Sequence, residues 1–138
     1  LKSINPKIIA ITASYGKTSI KNYLYQLIED KFNTYKTPRS VNTLKGIVAD
    51  INNNLSSNSD IYIVEAGARE QGDIKEIVEF LENEYSIIGK IGEQHIEYFK
   101  TIEKIIATKK EILLSKNLKK CITYDISCNN CVEIKNYI

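Results

Sequence analysis

No methionine occurs in this chain, its first residue is Leu1, and histidine appears once, as His95. Translation starts at methionine, so the sequence reads as a piece of a longer protein or as one that has lost a leader. No apolar run nears the ~20 residues of a membrane-spanning helix, and no secretory signal pattern opens the chain, so the cytoplasm is the expected compartment. Charge of one sign is lacking too: 19 basic and 17 acidic side chains leave a net charge of +2. They are interleaved, which excludes a basic track for a nucleic-acid backbone. Cysteine is scarce, with only Cys121, Cys128 and Cys131. The single C-x-x-C at Cys128 has no second pair or neighbouring histidine to complete a zinc site, and no helix start to activate a redox thiol. The three read as structural or incidental thiols.

What is present suits one domain: 138 residues, 43% hydrophobic and 26% charged, with no internal repeat and no linker. The informative stretch runs from Ile8 to Ser19, where a β-branched run meets Gly16-Lys17-Thr18 and then helix-forming sequence. Strand, loop and helix in that order are the context of a phosphate-binding loop. Amides opening a helix lack partners and sit at its positive end, so they bind phosphate oxygens. Lys17 adds a full charge, and the Thr18 hydroxyl can reach a magnesium ion. The general pattern G-x-x-x-x-G-K-[ST] is met only in its second half, because Ile11 stands where the first glycine belongs.

The rest of the chain alternates. A buried strand over 7–12 leads to a helix over 17–32 with Ile20, Leu24, Leu27 and Ile28 as its apolar stripe. A short strand over 33–37 ends at Pro38, and 38–43 is a loop. A helix over 44–55 buries Ile47, Val48 and Ile51, and a polar turn follows at 56–60. The strand over 61–65 closes on Glu65, which puts a carboxylate at the carboxyl edge of the sheet, where open α/β sheets bind ligands. Asp73 is positioned to cap a helix over 74–82 with Ile77, Val78 and Leu81 inward. A strand over 85–91 runs into Gly92-Glu93-Gln94-His95, bringing His95 to the same edge as Thr18 and Glu65. Thr101 caps a helix reaching 117, with Ile102, Ile105, Ile106, Ile112 and Leu113 as its apolar set. By pattern alone Lys109 and Lys110 on that helix are solvated. Strands over 120–124 and 132–138 complete an α/β fold, a mostly parallel sheet with helices on both faces.

Together these motifs resemble the Mur ligases. Thr12-Ala13-Ser14-Tyr15-Gly16-Lys17-Thr18-Ser19 is similar to that family's T-G-x-x-G-K-T-[ST], with Ala13 in place of the first glycine. Ser40-Val41-Asn42-Thr43-Leu44-Lys45-Gly46 resembles N-x-N-N-x-x-G with only Asn42 of the paired asparagines. Val64-Glu65-Ala66-Gly67-Ala68 looks like E-M-G-A, and Gly72-Asp73-Ile74 like G-E-I. Ile91 to Phe99 resembles I-G-x-A-H-L-E-x-F, and Thr108-Lys109-Lys110-Glu111-Ile112 sits where the family has A-K-G-E-I. Weak singly, these matches in the family's order, from Thr12 to Ile112, make a strong one together.

The resemblance implies a P-loop-containing central, ATP-binding domain over 1–138, cut short near Cys121–Asp125. It also implies that an amino-terminal domain for a UDP-sugar and a closing carboxyl-terminal domain lie outside this sequence. The implied activity is ATP-dependent amide-bond formation through an acyl phosphate. The motifs favour addition of D-alanyl-D-alanine to UDP-N-acetylmuramoyl-tripeptide in peptidoglycan precursor synthesis, with ATP and magnesium required. By resemblance Ala13, Ser14, Tyr15, Gly16, Lys17, Thr18 and Ser19 bind ATP, Asn42 touches substrate, and Lys17, His95 and Lys109 are catalytic. Thr18, Glu65, His95 and Lys109 hold metal, Lys109 as a carbamate. Carbamylation needs a neutral amine, so Lys109 should be buried. The methyl of Ala13 is expected to demand negative φ or to press on the nucleotide. The alternatives are another ligase of this type, such as folylpolyglutamate synthase, or a nucleotide-binding module without catalysis. The central piece alone is expected to be inactive.

Overall fold

Short β-branched runs separated by amphipathic stretches can bury their apolar sides only by stacking helices on a sheet. The computed structural model has this form and describes residues 1, 3–94, 96–124, 126–129 and 131–134. Six strands, β1 (Lys7–Thr12), β2 (Thr34–Lys36), β3 (Ile61–Glu65), β4 (Tyr85–Ile88), β5 (Lys120–Tyr124) and β6 (Cys131–Ile134), form one sheet in the order β2-β3-β1-β4-β5-β6. Every neighbouring pair is parallel, so the mostly parallel sheet read from the sequence is parallel throughout. The helices are α1 (Lys17–Ile28), α2 (Leu44–Asn54), α3 (Asp73–Leu81), α4 (Ile96–Phe99) and α5 (Ile102–Lys110), and a 3-10 turn spans Glu111–Leu114.

The pleat sorts the core into two layers. Ile8, Ala10, Tyr62, Val64, Ile88 and Cys121 point to the side covered by α2 and α3, where Ile47, Ile51, Ile74, Ile77, Val78 and Leu81 meet them. Ile9, Ile11, Ile61, Ile63 and Ile87 point the other way, onto Ile20, Leu24, Tyr25 and Ile28 of α1. Helices therefore lie on both faces, as the alternation requires. Leu27 does not belong to the stripe expected for it. It is 77% exposed, and the fully buried side chain of α1 is Lys21, at 1%.

Several boundaries fall short of expectation for identifiable reasons. α1 stops at Ile28 because Lys31 and Phe32 donate back to its carbonyl in a turn, and Asn33 N then donates to Asp60 Oδ2. β4 ends at Ile88 because the Lys90 carbonyl turns toward Ser14 N and Tyr15 N. α5 ends at Lys110 rather than 117, where Glu111 turns inward to another helix end. Its Oε1 accepts from Gly72 N at 2.8 Å and its Oε2 from Lys75 N at 3.1 Å, so Glu111 caps α3. Asp73 does not cap that helix. Its Oδ2 accepts from Arg69 N and Glu70 N in the preceding loop, and Gly72, with φ 104°, is the residue at which the helix begins.

The last pair of strands is unusual. Parallel neighbours are ordinarily joined by a crossover of a dozen residues or more, commonly a helix. Here β5 ends at Tyr124 and β6 begins at Cys131, too close in sequence for such a crossover, and Ile122, Val132 and Ile134 are left 40–56% exposed. Cys128 and Cys131 are joined by a disulfide, which corrects their reading as thiols, while Cys121 is free and buried. Burial pushes the Cys121 thiol up to about 11. The part of the last expected strand beyond Ile134 lies outside the described residues.

Candidate nucleotide and metal site

All six strands run the same way, so the segments following β1, β3 and β4 gather at one edge of the sheet. β1 delivers residues 13–16. Gly16 takes φ 80°, in the left-handed region, and nothing lies within 4 Å of where a Cβ would stand. That turn starts α1 at Lys17 with no side-chain cap on its first amides, leaving them open to an anion. The two amides before Gly16 are already engaged: Ser14 N and Tyr15 N both donate to Lys90 O, and Ser14 Oγ donates to Gly92 O. A phosphate would thus be met by the amides from Gly16 onward rather than by those of Ser14 and Tyr15. Lys17 Nζ donates to Ala13 O at 2.8 Å, lying back over the loop. Burial lowers its pKa, and the nearby Glu65 carboxylate works against that fall.

Ala13 meets the sequence expectation in one of its two forms. It is fully buried, is not among the residues with positive φ, and faces Gly89, where an added Cβ would sit 3.0 Å from the Ala13 methyl. The room for the methyl is provided inside the protein, by a glycine on the next strand's exit.

β3 delivers Glu65 opposite Ile11 of β1, at 2% exposure. Its backbone N–H donates to Thr37 Oγ1 at 3.3 Å, and its Oε1 lies 2.6 Å from Lys21 Nζ. The pair is close but lacks the alignment of a hydrogen bond, so Oε1 remains a buried oxygen short of a directed partner. Lys21 was missed by the sequence reading. The available signal was its place one helical turn beyond Lys17, on the face that meets the sheet.

Lys109, expected to be solvated by pattern, is buried at 4% exposure. Burial, then the Lys17 ammonium, lower its pKa to about 8, and Glu111 opposes them. Lys17, Asn42 and Lys109 line one cavity of about 510 Å³ with Gly67, Arg69 and Asp73. Asn42 is held there by its carbonyl, which accepts from Gly67 N at 2.8 Å; a Cβ at Gly67 would stand 2.8 Å from Asn42 Cγ. Thr18 and Ser19 stand in the first turn of α1. His95 lies outside the described residues. A second cavity of about 490 Å³, lined by Pro6, Phe80 and Glu84 among others, includes none of the residues named for the site.

Among the described residues no group of three or more His, Cys, Asp or Glu could hold a metal by itself. The fit to magnesium is of another kind. A hydroxyl at Thr18 and the buried carboxylate of Glu65, of which Lys21 engages Oε1, are hard donors, and magnesium takes few protein ligands beside phosphate oxygens. No described helix is long and apolar enough to cross a membrane.

Residues 11–135 match the Mur ligase middle domain family. The UDP-N-acetylmuramoyl-tripeptide–D-alanyl-D-alanine ligase of Rickettsia prowazekii is 34% identical over 126 residues, covering 91% of this chain and 27% of the relative. That of Borreliella burgdorferi is 30% identical over 129 residues, covering 94% and 27%. The crystal structure of MurF ligase from Thermotoga maritima in complex with ADP superposes with a TM-score of 0.81 at 32% identity, covering 86% of this chain and 28% of that one. The chain spans about a quarter of the length of the relatives it matches.

Proposed function

This chain belongs to the Mur ligase family as its middle domain, and on that premise we propose that it is the ATP-binding part of a ligase adding D-alanyl-D-alanine to UDP-N-acetylmuramoyl-tripeptide. The observation that carries the reading is the convergence of Lys17, Asn42 and Lys109 on one cavity beside the glycine turn of a phosphate loop. The ligase would act in the cytoplasm on peptidoglycan precursors, together with flanking domains of a longer chain.

The reaction joins a carboxylate to an amine. The γ-phosphoryl of ATP passes to the peptide carboxylate, ADP leaves, the amine attacks the acyl carbon, and phosphate departs. The protein's task is to place three reactants and to balance the charge on the moving phosphoryl group. Amides from Gly16 to Ser19 and the Lys17 ammonium hold the β- and γ-phosphates. Lys17 then exchanges its contact with Ala13 O for phosphate oxygens. Magnesium would be held by Thr18 and Glu65, where it offsets phosphate charge. Asn42 and the adjoining Gly67 amide form the wall on which the acceptor peptide lies. Lys109, buried and easily neutralised, has the character needed to take up carbon dioxide as a carbamate, and would join His95 in holding a second ion.

The test is an ADP-release assay on the full-length protein with each amine and acceptor in turn. Release that needs both UDP-N-acetylmuramoyl-tripeptide and D-alanyl-D-alanine, and is lost in Lys17→Ala, is the expected result. Release driven by glutamate and a folate would point to the folylpolyglutamate synthase alternative. Tight ATP binding with no amine-dependent release would identify a non-catalytic module.

A further inference from the structure

Lys21 is a lysine with nothing left over. Its Nζ donates to Thr37 O at 2.6 Å and to Pro38 O at 3.3 Å, and is ion-paired with Glu65 Oε1 at 2.6 Å, so its charge is wholly engaged inside the protein. It is 1% exposed, although a long side chain on a surface helix can usually carry its charge out to water. The carboxylate it meets is fixed a second time, because the Glu65 N–H donates to Thr37 Oγ1. One corner, at the exit of β2, therefore grips both the main chain and the side chain of Glu65.

We propose that Lys21 is a positioning residue for the metal-binding carboxylate, holding Glu65 by Oε1 so that its other oxygen is presented to magnesium. This rests on the reading of Glu65 as a magnesium ligand. Two effects oppose each other here. A fixed ammonium repels an arriving cation, and a fixed carboxylate binds it without reorganising. Outer partners of ligating groups characteristically strengthen metal binding, and their loss weakens it by about 10–100-fold. Orientation therefore wins, and Lys21 also carries the constraint on to Thr37 and Pro38, at the start of the loop that bears Asn42.

The experiment is calorimetric titration of the full-length protein with ADP at a series of magnesium concentrations, comparing Lys21→Met, Lys21→Arg and Glu65→Gln. In Lys21→Met the magnesium concentration for half-maximal tightening should rise ten-fold or more, with ADP affinity in the absence of magnesium unchanged. A purely structural role would lower both affinities together or neither. Should Lys21→Met fail to fold, Lys21→Arg decides. It keeps the buried charge, but its longer, planar head must displace the 2.6 Å contacts with Glu65 and Thr37, so it too should raise the requirement. An unchanged or a lowered magnesium requirement in the folded variant overturns the proposal. Glu65→Gln separates the two levels: if it leaves the magnesium requirement untouched, the assignment of Glu65 to the metal has failed, not merely the role given to Lys21.

Discussion

Among the described residues two lysines are buried, and they are buried differently. Lys21 is enclosed on α1 with a carboxylate and two carbonyls around its ammonium. Lys109 is enclosed at the end of α5, its ammonium has no hydrogen bond or ion pair among the described residues, and it faces the repulsion of Lys17. A fully partnered ammonium is fixed as a charge and can serve only to hold other groups. An unpartnered one gives up its proton near pH 8 and becomes a nucleophile. Burial alone does not distinguish the two roles. The surrounding acceptors do.

Substituting each lysine in turn tests that contrast. Lys21→Met leaves Glu65 as a buried charge without its counter-ion and should cost about 3–5 kcal/mol, read as a lowered midpoint in denaturant titration. Lys109→Met should do the opposite to stability. It removes an amine that gains little from its surroundings, so the midpoint should hold or rise. Ligase turnover of the full-length protein, by contrast, should fall by about 10²–10³, the scale for loss of one preorganised charge-stabilising group. Equal destabilisation by both substitutions would dissolve the comparison.

A pH series sharpens it. The proton on Lys109 is held less tightly in the folded state, about 8, than at the ordinary lysine value of 10.5. Between those values the unfolded chain binds more protons, so stability should climb with pH from about 8 to 10.5. Lys109→Met should lack that part of the climb when the two curves are subtracted. The smallest effect belongs to Leu27, which the sequence placed in the apolar stripe of α1. Leu27→Ser, at an exposed position, should change stability by no more than about 0.5 kcal/mol in the same titration.

The sheet and the edge that carries the candidate site were legible because strand ends are marked by chemistry: an apolar run closing on Glu65, another closing on a Gly-Lys-Thr turn. Asn42 and Lys109 entered only through motif resemblance, since one is a loop amide and the other a lysine among lysines. Their approach depends on Gly67 lying against Asn42 and on Glu111 tying the end of α5 to α3. Those contacts cross 25 and 39 residues, beyond any local period. Lys21 was illegible for a sharper reason. Hydropathy ranks leucine inward and lysine outward, and α1 reverses the order because an acid at the end of β3 needs a cation beneath it.

The methyl of Ala13 and the missing side chain of Gly89 amount to a single volume shared between two positions. Whether glycine or alanine is allowed at one is therefore a question about the other, and scoring the loop by its own eight letters misjudges it. Gly89→Ala alone should be poorly tolerated, since the new carbon would also stand 2.7 Å from Ile20 Cδ1. Trading the two residues would relieve only the first of these encounters. A defect in the phosphate loop of such a domain can thus originate on a neighbouring strand, with every letter of the loop intact.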